Sequence, residues 1–159
     1  MANFVTTDGL NDLNFQISRP VAQTRSRIVD FAKFTLTGVA GAAADTADVI
    51  TLPANFVVMD VKTIIVTAST TASSVFGVGD SASSVGFMPN TTAATSAVGT
   101  VVDASGANLF TTFATTPAVT AVISNGKTYA TANAIRVVLG ATAPLNGKVK
   151  VIVYGFQIT

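Results

Sequence analysis

Residues 48–87, DVITLPANFVVMDVKTIIVTASTTASSVFGVGDSASSVGF, constrain the fold more than any other stretch of this chain. A short apolar run, 49–52, stops at Pro53, and residues 53–55 supply a turn. In the run 56–69, Val58, Asp60, Lys62, Ile64 and Val66 fall on one side of an extended chain. Val57, Met59, Val61, Thr63 and Ile65 fall on the other. Asp60 and Lys62 predict a solvated first half, and the consecutive Ile64, Ile65 and Val66 predict a second half buried on both sides. The run 74–79 closes on Gly79, Asp80 and Ser81, and 84–88 reads as a further strand ended by Pro89 and Asn90. β-Branched and aromatic residues fit a pleated, half-buried surface, so these runs are strands.

The same grammar covers most of the chain. Periodicity starts at Ile28: in 28–37, Ile28, Asp30, Ala32, Phe34 and Leu36 alternate with Val29, Phe31, Lys33 and Thr35. Residues 38–48 form a small-residue loop, in which Gly38 and Gly41 weaken any helix. Residues 91–108 are rich in Thr, Ala, Ser and Gly and read as a short strand, 98–102, inside an interaction loop. Strands are expected at 109–117, 118–124, 127–141 and 147–159. Asn125-Gly126 and Asn146-Gly147 are hairpin signals, because both residue types accept the positive φ of tight turns. No fixed-period repeat is present, which excludes solenoids and propellers. The expected fold is all-β: an antiparallel β-sandwich, jelly rolls included, with an extended N-terminal arm. The boundaries are 1–27 for the arm and 28–159 for a single sandwich domain.

Composition narrows the function. The chain of 159 residues contains no His, Cys or Glu. A Ser-His-Asp triad, an imidazole ligand, a thiolate zinc site and a disulfide are all excluded. A glycosidase pair would need two of the eight Asp residues, which are spread singly over turns and strand ends. No enzyme, cofactor or metal site is expected. Gly77, Val78, Gly79 and Asp80 lack the spacing of a phosphate loop and read as a strand closing on a turn. Asp45, Thr46 and Asp48 carry oxygen ligands suited to calcium but read as a solvated loop.

Charged residues make up 11% of the chain, against about 25% in ordinary domains. The net charge is +1. This balance gives no pull toward nucleic acid or an anionic membrane. The apolar runs are too short for a membrane span, and the N-terminus lacks the basic and apolar regions of a secretory signal. A surface covered by Thr, Ser, Ala and Asn fits a Thr-rich β-protein of an extracellular-like setting, or a subunit buried against copies of itself or a host lattice; the low charge favours the second. The one cationic cluster is Arg19, Arg25 and Arg27, in the arm. Three readings stand: phosphate binding, docking of the arm onto carboxylates of a partner, and a solvated tail.

Several of these elements recur together in one known setting. Asp48, then Leu52-Pro53-Ala54, Val58-Met59-Asp60-Val61, Val78-Gly79-Asp80 and Gly86-Phe87 make up a pattern that resembles small structural proteins of tailed bacteriophages. The C-terminal lysine-valine strand is similar too. The resemblance implies a β-sandwich that decorates or cements the head. It would be a homotrimer on the major capsid protein lattice, on the outer surface of the virion head, with no direct nucleic-acid or membrane contact. It also admits a tail, neck or head-fibre component. The chain departs from the pattern in its few acidic residues and its long 91–108 loop. A carbohydrate- or receptor-binding sandwich is the alternative of a different class. It would need exposed aromatics, yet Trp is absent and only Tyr129 and Tyr154 are present.

Overall fold

The computed structural model describes residues 22–33, 46–105, 110–115, 119–124, 126–140 and 146–158, with 110–115 and 119–124 described as backbone alone. The strands are β1 (Ala22–Asp30), β2 (Thr46–Leu52), β3 (Phe56–Thr67), β4 (Val75–Gly79), β5 (Met88–Ala93) and β6 (Val101–Asp103). They continue with β7 (Phe110–Thr115), β8 (Val119–Ser124), β9 (Lys127–Tyr129), β10 (Asn133–Leu139) and β11 (Lys148–Gln157). Every described pairing is antiparallel. One sheet runs β1-β11-β3-β6, with β9 completing the edge of β3 beside β6. The second runs β2-β10-β4-β5, and β7 pairs with β8 as a separate hairpin.

Set aside the β7 and β8 hairpin and the short β9, and eight strands remain. In chain order they pair first-eighth-third-sixth in one sheet and second-seventh-fourth-fifth in the other. Two interlocked Greek keys of this kind define a jelly roll. The all-β sandwich expected from the alternating runs is therefore the fold.

The core lies between the sheets. One side contributes Val29, Phe56, Val58, Val61, Ile65, Val149, Val151 and Val153, and the other Ile50, Leu52, Phe76, Val78, Ile135, Val137 and Leu139. Strand β3 would turn its side chains to the wrong face halfway along if it were regular. Its register against β11 shifts between the pairs Tyr154 with Asp60 and Gly155 with Val58, so Met59 is an extra residue. A bulge reverses the parity of a strand. Phe56 and Val58 before it, and Val61, Thr63 and Ile65 after it, thus all face inward. Gly155 sits opposite the bulge because a Cβ there would fall 2.1 Å from the Val57 carbonyl oxygen and 2.6 Å from the Phe56 ring.

Several expectations are corrected. The strand expected from Ile28 onward starts earlier and stops earlier among the described residues, as β1, 22–30; residues 34–37 lie outside them. Asp30 Oδ1 accepts the Ala32 N–H at 3.2 Å and turns the chain into a 3-10 turn, Phe31–Lys33. Phe31 swings into the core, with its ring centroid 5.5 Å from that of Phe76. Residues 22–27 belong to the sheet; their polar character reflects an edge strand. The second half of β3 is buried on one side only, since Val66 is exposed. Pro89 and Asn90 do not end a strand at 84–88. They lie within β5, a sheet edge, where a missing N–H is tolerated. The short strand in 91–108 is 101–103. Thr46 and Asp48 lie in β2 and not in a loop. Residues 127–141 are two strands, because the chain crosses from one sheet to the other at 130–132.

Gly126 (φ 68) and Gly147 (φ 97) adopt the positive φ that their sequence predicts. Neither makes a hairpin: β9 pairs with β3, and β11 with β1 and β3. Instead, Asn146 uses its amide to dock onto the end of β3. Its Oδ1 accepts from the Thr70 N–H at 2.8 Å, and its Nδ2 donates to Thr70 Oγ1 at 2.6 Å. Residues 1–21, Asp45 and Asn125 lie outside the described residues.

Candidate functional site

The turn after β4 holds the one fully buried charge among the described residues, Asp80. Gly79 makes this turn possible: a Cβ there would lie 2.0 Å from the Ser83 carbonyl oxygen, so only glycine lets the loop fold over the strand end. Asp80 Oδ1 accepts the Ala82 and Ser83 N–H groups, each at 2.9 Å. Its Oδ2 accepts the Tyr129 hydroxyl at 2.5 Å and pairs with Lys127 Nζ at 2.6 Å. Burial alone would push this carboxyl up. The Lys127 and Tyr129 hydrogen bonds and the Ser83 N–H outweigh burial and hold it below the usual carboxylate range. Burial, and then the anionic neighbour, push the Tyr129 phenol well up. The group ties the β4 turn to β9 and thereby joins the two sheets. With the acid anionic and the phenol neutral, its chemistry is that of a brace and not of a proton relay.

Sequence reasoning took Asp80 as an ordinary turn former and missed its partners. A signal was present: Lys127 and Tyr129 are two apart, so they share one face of a strand.

Of the arginine cluster, Arg25 and Arg27 lie two residues apart on β1. Arg19 lies outside the described residues. Arg25 is half-buried on β1, its guanidinium carbon 5.5 Å from the Phe56 ring centroid. Its Nη2 donates to Gln23 Oε1 at 3.2 Å, and its Nη1 reaches the Thr51 carbonyl on β2 at 3.4 Å. Arg25 therefore spans the open rim between the edge strands of the two sheets. Arg27 is exposed.

Two surface features remain. A cleft of about 320 Å³ is lined by Asp48, Ser81, Asn133 and Arg136. Arg136 donates to Asp48 Oδ1 through Nε at 2.9 Å, and its Nη2 lies 2.8 Å from the same oxygen. Ser81 donates to Asn133 Oδ1 at 3.0 Å. These groups satisfy one another, and no aromatic ring lines the cleft. The outer face of the five-stranded sheet is the larger feature. It presents Ile28, Lys150, Tyr154, Asp60, Lys62, Ile64, Val101 and Asp103, with Ile152 on the same side but buried. Lys62 donates to Asp103 and lies 3.4 Å from Asp60, and both hold its ammonium above its ordinary range. No three acidic or other metal-ligating side chains converge among the described residues.

Comparison with known proteins adds one likeness. No family model matches the chain, and no curated protein matches it. Among solved structures, it is similar to a chain of the capsid asymmetric unit of cyanophage Pam1. The TM-score is 0.55 at 20% identity, over 87% of this chain and 86% of that one. At this identity the likeness establishes a shared fold. The two chains are also close in length.

Proposed function

We propose that this chain is a structural subunit of a tailed-phage virion, and that it decorates the head shell and stabilises it. The observation that carries the reading is the jelly-roll topology of this chain together with its fold likeness, over 87% of its length, to a capsid component. Viral shells are a recurrent use of that topology. The chain's own chemistry supports the same direction. Only 11% of its residues are charged, as suits a surface covered by neighbouring subunits.

The reading extends to place and partners. With a net charge of +1, the subunit cannot neutralise packed phosphates, which favours the outer surface of the head. The sandwich sits on the major capsid protein lattice as a homotrimer. The part of the arm ahead of β1, residues 1–21, lies along the shell or a neighbouring copy. Arg19 and Arg27 meet carboxylates of the partner, while Arg25 serves the rim. Contact area buried at these sites adds to what shell rupture must expose.

Stripping and re-addition test the reading. Heads freed of this protein should lose heat resistance and regain it when the purified protein is added back. Recovery of the protein only with tails would overturn the head reading in favour of a tail, neck or fibre component. Binding to host surface sugars without binding to heads would favour a receptor module.

A further inference from the structure

The outer face of the five-stranded sheet is open at one end and divided in charge. Ile28, Lys150, Ile64 and Val101 stand in one register row across β1, β11, β3 and β6. Ile28 is 54% exposed and Val101 53%. Val66 and Val98 are exposed at the same end, where Gly99 and Thr100 bond to Ile65. A solvated sheet face carries polar residues at such positions, and this row is apolar except for Lys150.

The two lateral halves of the face differ in sign. On β1 and β11, Lys148 lies 3.6 Å from Asp30. Lys150 has no carboxylate within ion-pairing distance among the described residues, so this half carries one cation in excess. On β3 and β6, the single Lys62 is shared by Asp60 and Asp103, so one carboxylate is in excess. Asp103 is 66% exposed at its side chain.

We propose that this face is the contact between copies of the chain, joined head to tail. The half formed by β1 and β11 packs on the half formed by β3 and β6 of the next copy. At one height, Ile28 then meets the neighbour's Val101. Lys150 lies one row, roughly 7 Å along the strand, from the neighbour's Asp103, within the reach of its flexible stem. The two halves of each copy meet two different neighbours; that makes the contact heterologous, where a two-fold pair would bury both halves against one partner, and a heterologous contact that closes gives a ring. The self-association of the shell-subunit reading is what this contact rests on, and three copies is the ring size that reading expects.

Sedimentation equilibrium on the full chain tests the contact. The wild type should form a closed trimer at micromolar concentration. Val101→Asp and Lys150→Asp should each weaken association at least tenfold while the circular dichroism spectrum stays unchanged, since both positions are solvent-accessible. Combining Lys150→Asp with Asp103→Lys should restore the trimer, because the pair is reversed across the contact. A two-copy assembly, a monomer at all concentrations, or a trimer indifferent to both single variants would overturn the proposal. A monomer that still restores heat resistance to stripped heads overturns this contact and leaves the shell reading standing. A trimer that dissociates in the variants but never binds heads does the reverse.

Discussion

Asp80→Ala is expected to lower folding stability by about 3–5 kcal/mol, the cost of breaking a buried ion pair from one side. The loss is large because four donors lose this acceptor together: Lys127, the Tyr129 hydroxyl and the Ala82 and Ser83 N–H groups. Urea unfolding measures it directly. Tyr129→Phe removes one hydrogen bond to a charged group and should cost less, about 1.5–3 kcal/mol. The same carboxylate sets an acid limb. Its folded-state pKa is depressed, so its contribution is present at neutral pH. That contribution is lost as pH falls below about 4, the unfolded value, toward the depressed one. Wild-type urea midpoints should fall over that window. Those of Asp80→Ala should fall less, since the variant lacks the group that titrates. An equal slope in both proteins would assign the acid limb elsewhere.

Phe56→Ala carries the second large effect, about 3–5 kcal/mol by loss of a fully buried ring. Phe56 is where three features meet: the start of β3, the bulge at Met59 that lets both halves of the strand face inward, and the guanidinium of Arg25. Gly155 leaves its Cβ space to this ring, so the cavity would open beside the β11 backbone. Arg25→Ala removes the other side of the same contact and should cost about 0.5–1 kcal/mol. Denaturant midpoints of the two variants rank the effects. A loss for Arg25→Ala as large as that for Phe56→Ala would mean that the rim, and not the core, holds the sheets together at this edge.

Much of this fold was legible in the residues. The alternation in 147–159 identifies β11 and its buried face correctly, with Val149, Val151 and Val153 inside. The turn at 53–55 lies where Pro53 puts it, and Asn55 takes a positive φ of 59°. What alternation does not encode is which strands pair. Residues 127–141 look like one strand because both β9 and β10 alternate; only the sheet assignment shows that the chain changes layer between them. The bulge at Met59 is similarly hidden, since a strand with one residue too many still reads as a strand. Edge strands were the other loss. In β1, one face looks to solvent and the other to the rim, so 22–27 lack the apolar beat that marks a strand.

The candidate surfaces were less legible, for a related reason. Arg19, Arg25 and Arg27 look alike in a list of cations, yet Arg25 is placed over an aromatic ring and Arg27 faces solvent. The opposed charges of the outer face emerge only when strands distant in sequence are set side by side. Lys150 and Asp103 are separated by β7 to β10 in the chain and by two strand positions and one row in the sheet.

Imaging of phage heads with and without this protein tests the central claim most directly. The account predicts added density on the outer surface of the head, repeating with the shell lattice, into which the two-sheet jelly roll fits. Density confined to the tail or neck, or heads identical in the presence and absence of the protein, would contradict it.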